Sequence, residues 1–115
     1  MVNKDVVLPM KDPALPGLEI TKPLHADHVV PMKQITEMEG FDKLTFEQQI
    51  EVLKNKPNFH GLSETANTSR GAKTYAEWTP YKKGGVDVDP GFRSSMMEQA
   101  AKLEVELQEM ISGFL

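Results

Sequence analysis

Two adjacent side chains, Asp27 and His28, are of the types that phosphodiester hydrolysis requires. That reaction needs a water made nucleophilic, and an imidazole with a pKa near neutrality is a natural general base. It also needs a hard divalent cation, held by oxygen ligands, to stabilise charge on the phosphate and the departing 3′ oxygen. The pair alone is compatible with His28 as a general base and Asp27 as a metal ligand, with an exposed turn pair as the alternative.

Other polar residues could complete such a site. Asn67 offers an amide oxygen as a second metal ligand, although asparagine is also among the best helix N-cap residues. Asn58 could bond the backbone of the loop that carries His28 and so fix its ring. Arg70 and Lys73, three residues apart on a helix, would share a face and could hold phosphates, with simple solvation as the alternative.

Two more histidines are weaker candidates. His25 could add a metal ligand from the same side of a strand as Asp27, and His60 could contact the substrate. For each of them a surface or structural role is the alternative.

Short strands and helices must position these residues. Alternating polarity over residues 24–29 predicts a strand that Pro31 ends, and residues 59–62 predict a second strand. Thr45 followed by Gln48 is a capping box, which predicts a helix over residues 46–54.

The remaining segments differ in character. Residues 1–24 are rich in proline and indicate an irregular leader, residues 67–78 predict a helix, and residues 79–90 predict a loop. The segment from about 95 to 112 predicts a long amphipathic helix that packs on the core. Its apolar stripe comprises Met96, Ala100, Leu103, Leu107, Met110 and Phe114.

Composition limits the number of domains, the kinds of metal ligand and the class of partner. The chain has 115 residues, which favours one folded domain, here expected over residues 25–115. It has no cysteine, so metal ligands must come from other side chains, and it has no stretch apolar enough to cross a membrane. The net charge of −4 disfavours nucleic acid, but cations outnumber anions between residues 58 and 85.

Three motifs together resemble the HNH nuclease superfamily over residues 25–78. Asp27-His28-Val29-Val30-Pro31 resembles the opening motif. Asn58 with Leu62 resembles the middle motif. Asn67 and Arg70 follow Asn58 by nine and twelve residues, which is the spacing of the closing motif. Asn67 replaces the histidine that many members carry there, as in the HNH domain of RNA-guided CRISPR nucleases.

This resemblance implies an α+β fold with a ββα-metal core and additional helices. It implies one divalent metal ion, with Mg²⁺ as the first expectation and Mn²⁺, Ni²⁺ or Zn²⁺ as alternatives. Asp27 and Asn67 would bind the metal, His28, Asn58 and Arg70 would be catalytic, and Arg70 and Lys73 would bind nucleic acid. Ser63 and Ala66 stand where many members have zinc-binding cysteines, so no structural zinc is expected.

The amino-acid sequence of three segments, residues 27–35, 41–49 and 61–73, further resembles the HNH domains at the C-termini of bacterial polymorphic toxins. That subfamily implies a DNA endonuclease in a secreted bacterial protein, acting in the target-cell cytoplasm. The expected partners are DNA and a cognate immunity protein, and the domain is expected to be a monomer or weak dimer. The alternatives are a phage, restriction or homing endonuclease domain and a non-catalytic interaction domain on the same scaffold.

Overall fold

A computed structural model describes residues 2–115 as an α+β fold of short antiparallel strand pairs and helices. The strands are β1 (Met10–Lys11), β2 (Glu19–Ile20), β3 (His25–His28), β4 (Phe59–Leu62), β5 (Pro80–Tyr81) and β6 (Val86–Asp87). The helices are α1 (Met32–Thr36), α2 (Phe46–Leu53), α3 (Glu64–Arg70) and α4 (Pro90–Phe114). The predicted α+β class and the long C-terminal helix are confirmed.

The two strands predicted around the candidate site form one antiparallel pair, β3 with β4. Asp27 lies opposite His60, and His28 lies opposite Phe59. Because directly opposed residues point to the same face of a sheet, Asp27 and His60 share one face while His28 and Phe59 share the other. Helix α3 follows β4 directly and packs against both strands.

Helix α2 begins at the predicted capping box. The backbone N–H of Gln48 donates to the Thr45 hydroxyl at 3.2 Å, and the Thr45 N–H donates to the Gln48 side chain at 3.0 Å. The helix ends at Leu53, just before the segment that leads to Pro57. The carbonyls of its last turn lack helical partners and are free to accept bonds from elsewhere.

Helix α3 lies earlier in the chain than the predicted helix over residues 67–78. Ser63 is its N-cap and accepts a hydrogen bond from the backbone N–H of Ala66 at 3.0 Å. Gly71 ends it with a φ of 55°, a conformation that glycine adopts without steric cost. The loop predicted over residues 79–90 also differs, because it contains the β5–β6 pair and the first residue of α4.

The predicted leader, residues 1–24, contributes to the core. Met1 lies outside the described residues, but Ala14 and Leu15 are fully buried. The carboxylate of Asp12, itself buried, accepts bonds from the N–H groups of Ala14 and Leu15 and, at 2.6 Å, from the Ser63 hydroxyl. Prolines marked breaks in regular structure correctly, but they carry no information about tertiary burial.

Helix α4 is longer than predicted because Asp89 caps it ahead of Pro90. The Asp89 carboxylate accepts from the N–H of Phe92 at 2.8 Å. The helix covers the core, as expected from its stripe: Met96, Leu103, Leu107 and Ile111 are buried, and Ala100, Met110 and Phe114 pack beside them. No helix within residues 2–115 is long and apolar enough to cross a membrane.

Candidate active site

The imidazole of His28 is held in one orientation. Its Nε2 lies 2.9 Å from the carbonyl oxygen of Leu53 at the end of α2, and its ring packs 4.4 Å from the Phe59 ring, centroid to centroid. A carbonyl oxygen only accepts hydrogen bonds, so Nε2 must carry the proton. In the tautomer that this bond selects, the free lone pair lies on Nδ1, which is the atom that would act as the general base.

Asn58 fixes the loop that follows His28, as the sequence indicated. Its side chain is fully buried at 0% exposure. The amide oxygen accepts from the Val30 N–H at 2.8 Å, and the amide nitrogen donates to the Val30 carbonyl at 3.0 Å. The Asn58 carbonyl also accepts from the Val29 N–H at 2.8 Å. Three hydrogen bonds therefore attach this loop to the start of β4.

Asp27 forms a buried ion pair with Arg70. Nη1 of Arg70 lies 2.6 Å from the Asp27 Oδ2, where the side chains are 1% and 16% exposed. The same guanidinium donates to the carbonyls of His28 and Val29 at 2.6 and 2.8 Å, and its Nε donates to the carbonyl of Lys73 at 2.9 Å. Arg70 thus connects the end of β3 to the end of α3.

The predicted phosphate contact at Arg70 is wrong. At 1% exposure the guanidinium cannot reach a phosphate, and its donors are committed to one carboxylate and three carbonyls. Its other side lies 3.9 Å from the centre of the Tyr75 ring. Burial raises the pKa of Tyr75 to about 12, so this phenol stays neutral at physiological pH. Arg70 positions Asp27 and the backbone beside His28 rather than acting on a substrate.

The two additional histidines differ in their surroundings. His25 is exposed at the start of β3. His60 is half-buried opposite Asp27, and its ring lies 6.0 Å from that of Phe92. Burial lowers the pKa of His60, an effect that the negative charge of Asp27 opposes and the positive charge of Arg70 reinforces. Burial thus favours the uncharged form of the imidazole that lies opposite Asp27.

Asn67 lies in the middle of α3 and does not cap it, because Ser63 occupies the N-cap position. The capping alternative for Asn67 is therefore wrong. Its side chain is half-buried, one turn before Arg70 on the same side of the helix. Since Arg70 bonds Asp27, this placement brings the Asn67 amide to the same region of the hairpin.

The donors of this region fit a hard divalent cation with a sparse protein shell. Within residues 2–115, no group of three His, Cys, Asp or Glu side chains is arranged to hold a metal. Mg²⁺, however, commonly binds through one or two carboxylates and completes its shell with water and substrate phosphate. The Asp27 carboxylate, the Asn67 amide and the His60 imidazole are suitable donors for such an ion.

A polar groove that carries two exposed lysines and two exposed glutamates lies beside this region. It has a volume of about 570 Å³ and is bordered by Pro31 and Lys33 near α1 and by the segment around Lys73 after α3. The Lys73 side chain is exposed, so it can make the phosphate contact that Arg70 cannot. Glu77 lies in the same groove, and its pKa is lowered by hydrogen bonds from Thr74 and, to a smaller extent, by the two lysines.

Sequence reasoning missed the acceptor that orients His28. The group is a main-chain carbonyl at Leu53, and backbone groups carry no signal in residue identity. It also missed the Asp12–Ser63 bond that ties the N-terminal segment to α3.

Comparison with protein-family models, with curated proteins and with solved structures finds no match to this chain.

Proposed function

We propose that this chain is a metal-dependent endonuclease domain of the HNH type, which hydrolyses phosphodiester bonds of DNA. The observation that carries the proposal is the fixed His28 ring, whose Nε2 bonds the Leu53 carbonyl and whose loop is attached by Asn58. A general base held in one orientation is an arrangement that hydrolysis uses. In this interpretation β3, β4 and α3 form the ββα-metal core.

Each residue has one role in the proposed reaction. Nδ1 of His28 takes the proton from the attacking water. Asn58 holds the loop after His28, and Arg70 holds the Asp27 carboxylate through Oδ2. Lys73 contacts the phosphate backbone from its exposed position after α3.

The metal would be held by Asp27 and Asn67, with His60 as a further donor. When bound, a divalent cation stabilises charge on the phosphate and on the leaving oxygen. Because Asp27 already gives Oδ2 to Arg70, its other oxygen is the one left for the cation. Mg²⁺ is the expected ion, since the shell has one carboxylate and room for water.

The biological setting belongs to the same proposal. The likeness of residues 27–35, 41–49 and 61–73 to the C-terminal domains of bacterial polymorphic toxins supports a toxin domain of a secreted effector. Such a domain acts in the cytoplasm of a target cell, and its producer needs an immunity protein. Exposed lysines near the site would favour an acidic inhibitor through electrostatic steering.

The proposal is tested with the purified domain and supercoiled plasmid. We expect nicked and then linear DNA in Mg²⁺ or Mn²⁺, and no cleavage after addition of a chelator. The melting temperature should change little on chelation, because the chain has no cysteine for a structural zinc and Ser63, at a position where the motif often has one, bonds Asp12 directly. Intact plasmid with each of Mg²⁺, Mn²⁺, Ni²⁺ and Zn²⁺ would contradict the proposal.

Replacing Asn67 by alanine should separate metal binding from helix stability. Because Asn67 is not the cap, Asn67→Ala should leave the melting temperature unchanged or slightly higher, since alanine is the better helix former. Activity and Mg²⁺ affinity should both fall. The matched control, Ser63→Ala, should retain Mg²⁺ affinity but cost more than the about 0.5–2 kcal/mol of a lost cap, because it also removes the bond to the buried Asp12 carboxylate. Calorimetric Mg²⁺ binding that is unchanged in Asn67→Ala would remove Asn67 from the metal shell.

A further inference from the structure

Three exposed lysines line a second groove, between α3 and the β5–β6 pair. This groove has a volume of about 610 Å³, and Lys73, Lys82 and Lys83 contribute its cations. The outer face of α3 contributes hydroxyl groups to the same groove, from Thr65, Thr68 and Ser69. Ammonium and hydroxyl donors are the groups that contact phosphate oxygens in complexes with DNA.

The charge of this second groove is positive although the chain as a whole carries −4. Glu64 is the acidic residue among its lining side chains, and its carboxylate lies 3.9 Å from Lys22. Asp87 is also near, since it pairs with Pro80 in the hairpin and is exposed. Among the described residues the three lysines form no ion pair, so their charges are available to an anionic ligand.

A hydrogen bond at the base and a packing contact at the tip order the hairpin that carries Lys82 and Lys83. The N–H of Val88 donates to the Thr79 carbonyl at 2.8 Å and closes its base. At the tip, the chain at Gly84 lies against the Tyr81 ring, because a Cβ there would approach the ring to 3.3 Å. Lys82 and Lys83 therefore lie on a short, ordered hairpin, so less backbone conformational entropy is lost when the groove binds a ligand.

The second groove is continuous with the groove beside the candidate active site. Both are lined by Thr68, Ser69 and Lys73, and the first groove extends to Lys33 and Pro31 near the end of β3. A polyanion lying along these lysines would therefore pass over α3 toward the loop that follows His28.

We propose that the groove formed by Lys73, Lys82 and Lys83 binds the phosphate backbone of duplex DNA at a distance from the cleaved bond. This inference rests on the proposed nuclease function and extends it, because it names a surface that holds substrate without taking part in the chemistry. Contacts of this kind are independent of sequence and strongly dependent on salt. They fit a nuclease that cuts DNA with little sequence preference.

The test measures binding of a short labelled duplex DNA in a His28→Ala background, which prevents cleavage during titration. Lys82→Ala with Lys83→Ala removes two proposed phosphate contacts. The slope of log affinity against log salt should then become shallower by about 1.8, at about 0.9 per phosphate. Between about 50 and about 200 mM salt, the ratio of unsubstituted to substituted affinity should shrink about tenfold.

The matched control is Lys43→Ala with Lys102→Ala, which removes the same charge from exposed positions outside both grooves. It should change the slope by much less than the Lys82 and Lys83 pair. Equal slopes for the two double variants would overturn the proposal.

Plasmid cleavage by the unsubstituted chain keeps this test separate from the proposed function. If the chain does not cut but the slope changes as expected, the groove still binds DNA and the nuclease proposal fails. If the chain cuts and the slope is unchanged, the nuclease proposal holds and the groove assignment fails.

Discussion

Replacing His28 by alanine is expected to lower the rate of DNA cleavage by about 10²–10⁴-fold, the usual contribution of a positioned general base. The metal donors remain in the variant, so Mg²⁺ affinity should stay within error of the unsubstituted value. Some stability is lost with the bond to the Leu53 carbonyl and the contact with Phe59. Circular dichroism must therefore accompany the rate measurement.

The matched control is His25→Ala on the same strand. His25 is exposed, so the substitution should leave fold and rate nearly unchanged. A His28→Ala protein that is folded and cuts at a normal rate would remove His28 from the mechanism. A large loss in His25→Ala alone would instead point to the face of β3 that carries Asp27.

Replacing Arg70 by methionine is expected to destabilise the domain by about 3–5 kcal/mol, because it leaves a buried charge without its partner. The variant leaves the Asp27 carboxylate and three backbone carbonyls without the hydrogen bonds that Arg70 donates to them. Denaturant unfolding measures the loss. Adding Asp27→Asn should recover part of it, since the remaining carboxylate charge is then removed, and the double-mutant cycle gives the coupling energy.

Arg93 supplies the comparison for this prediction. It donates to the carbonyls of Tyr75 and Ala76 at 2.8 Å but forms no ion pair among the described residues. Arg93→Met should therefore cost clearly less than Arg70→Met. If both substitutions lower the free energy of unfolding equally and Asp27→Asn restores none of it, the ion pair does not explain the contribution of Arg70 to stability.

Local signals predicted the parts of the fold that short sequence patterns determine. The capping box at Thr45, the strands β3 and β4, and the apolar stripe of α4 each have a repeat or a cap within a few residues. Helix α3 begins before the predicted residue 67 because Ser63 caps it, and serine is a good N-cap.

Burial by distant parts of the chain explains why the sequence predicted some residues wrongly, Arg70 among them. Arg70 has the sequence context of a surface helix residue, and nothing nearby in the chain shows that its partner is Asp27, 43 residues away. Asn58 could be interpreted correctly because its motif implies a bond to the loop after His28. Ala14 and Leu15 are buried by elements distant in sequence, which proline spacing cannot indicate.

The position of α4 determines when a nascent chain can complete its hydrophobic core. Its side chains reach far back in the sequence, with Gln34 bonded to Glu104 and Gln108 bonded to the Glu39 carbonyl at separations of 70 and 69 residues. Contacts so distant form late, since the entropy of closing the intervening loop is lost before they are gained. On the ribosome the β3–β4 hairpin is therefore made long before the helix that covers its core. A cell that synthesises this protein therefore meets the complete core only after α4 has emerged.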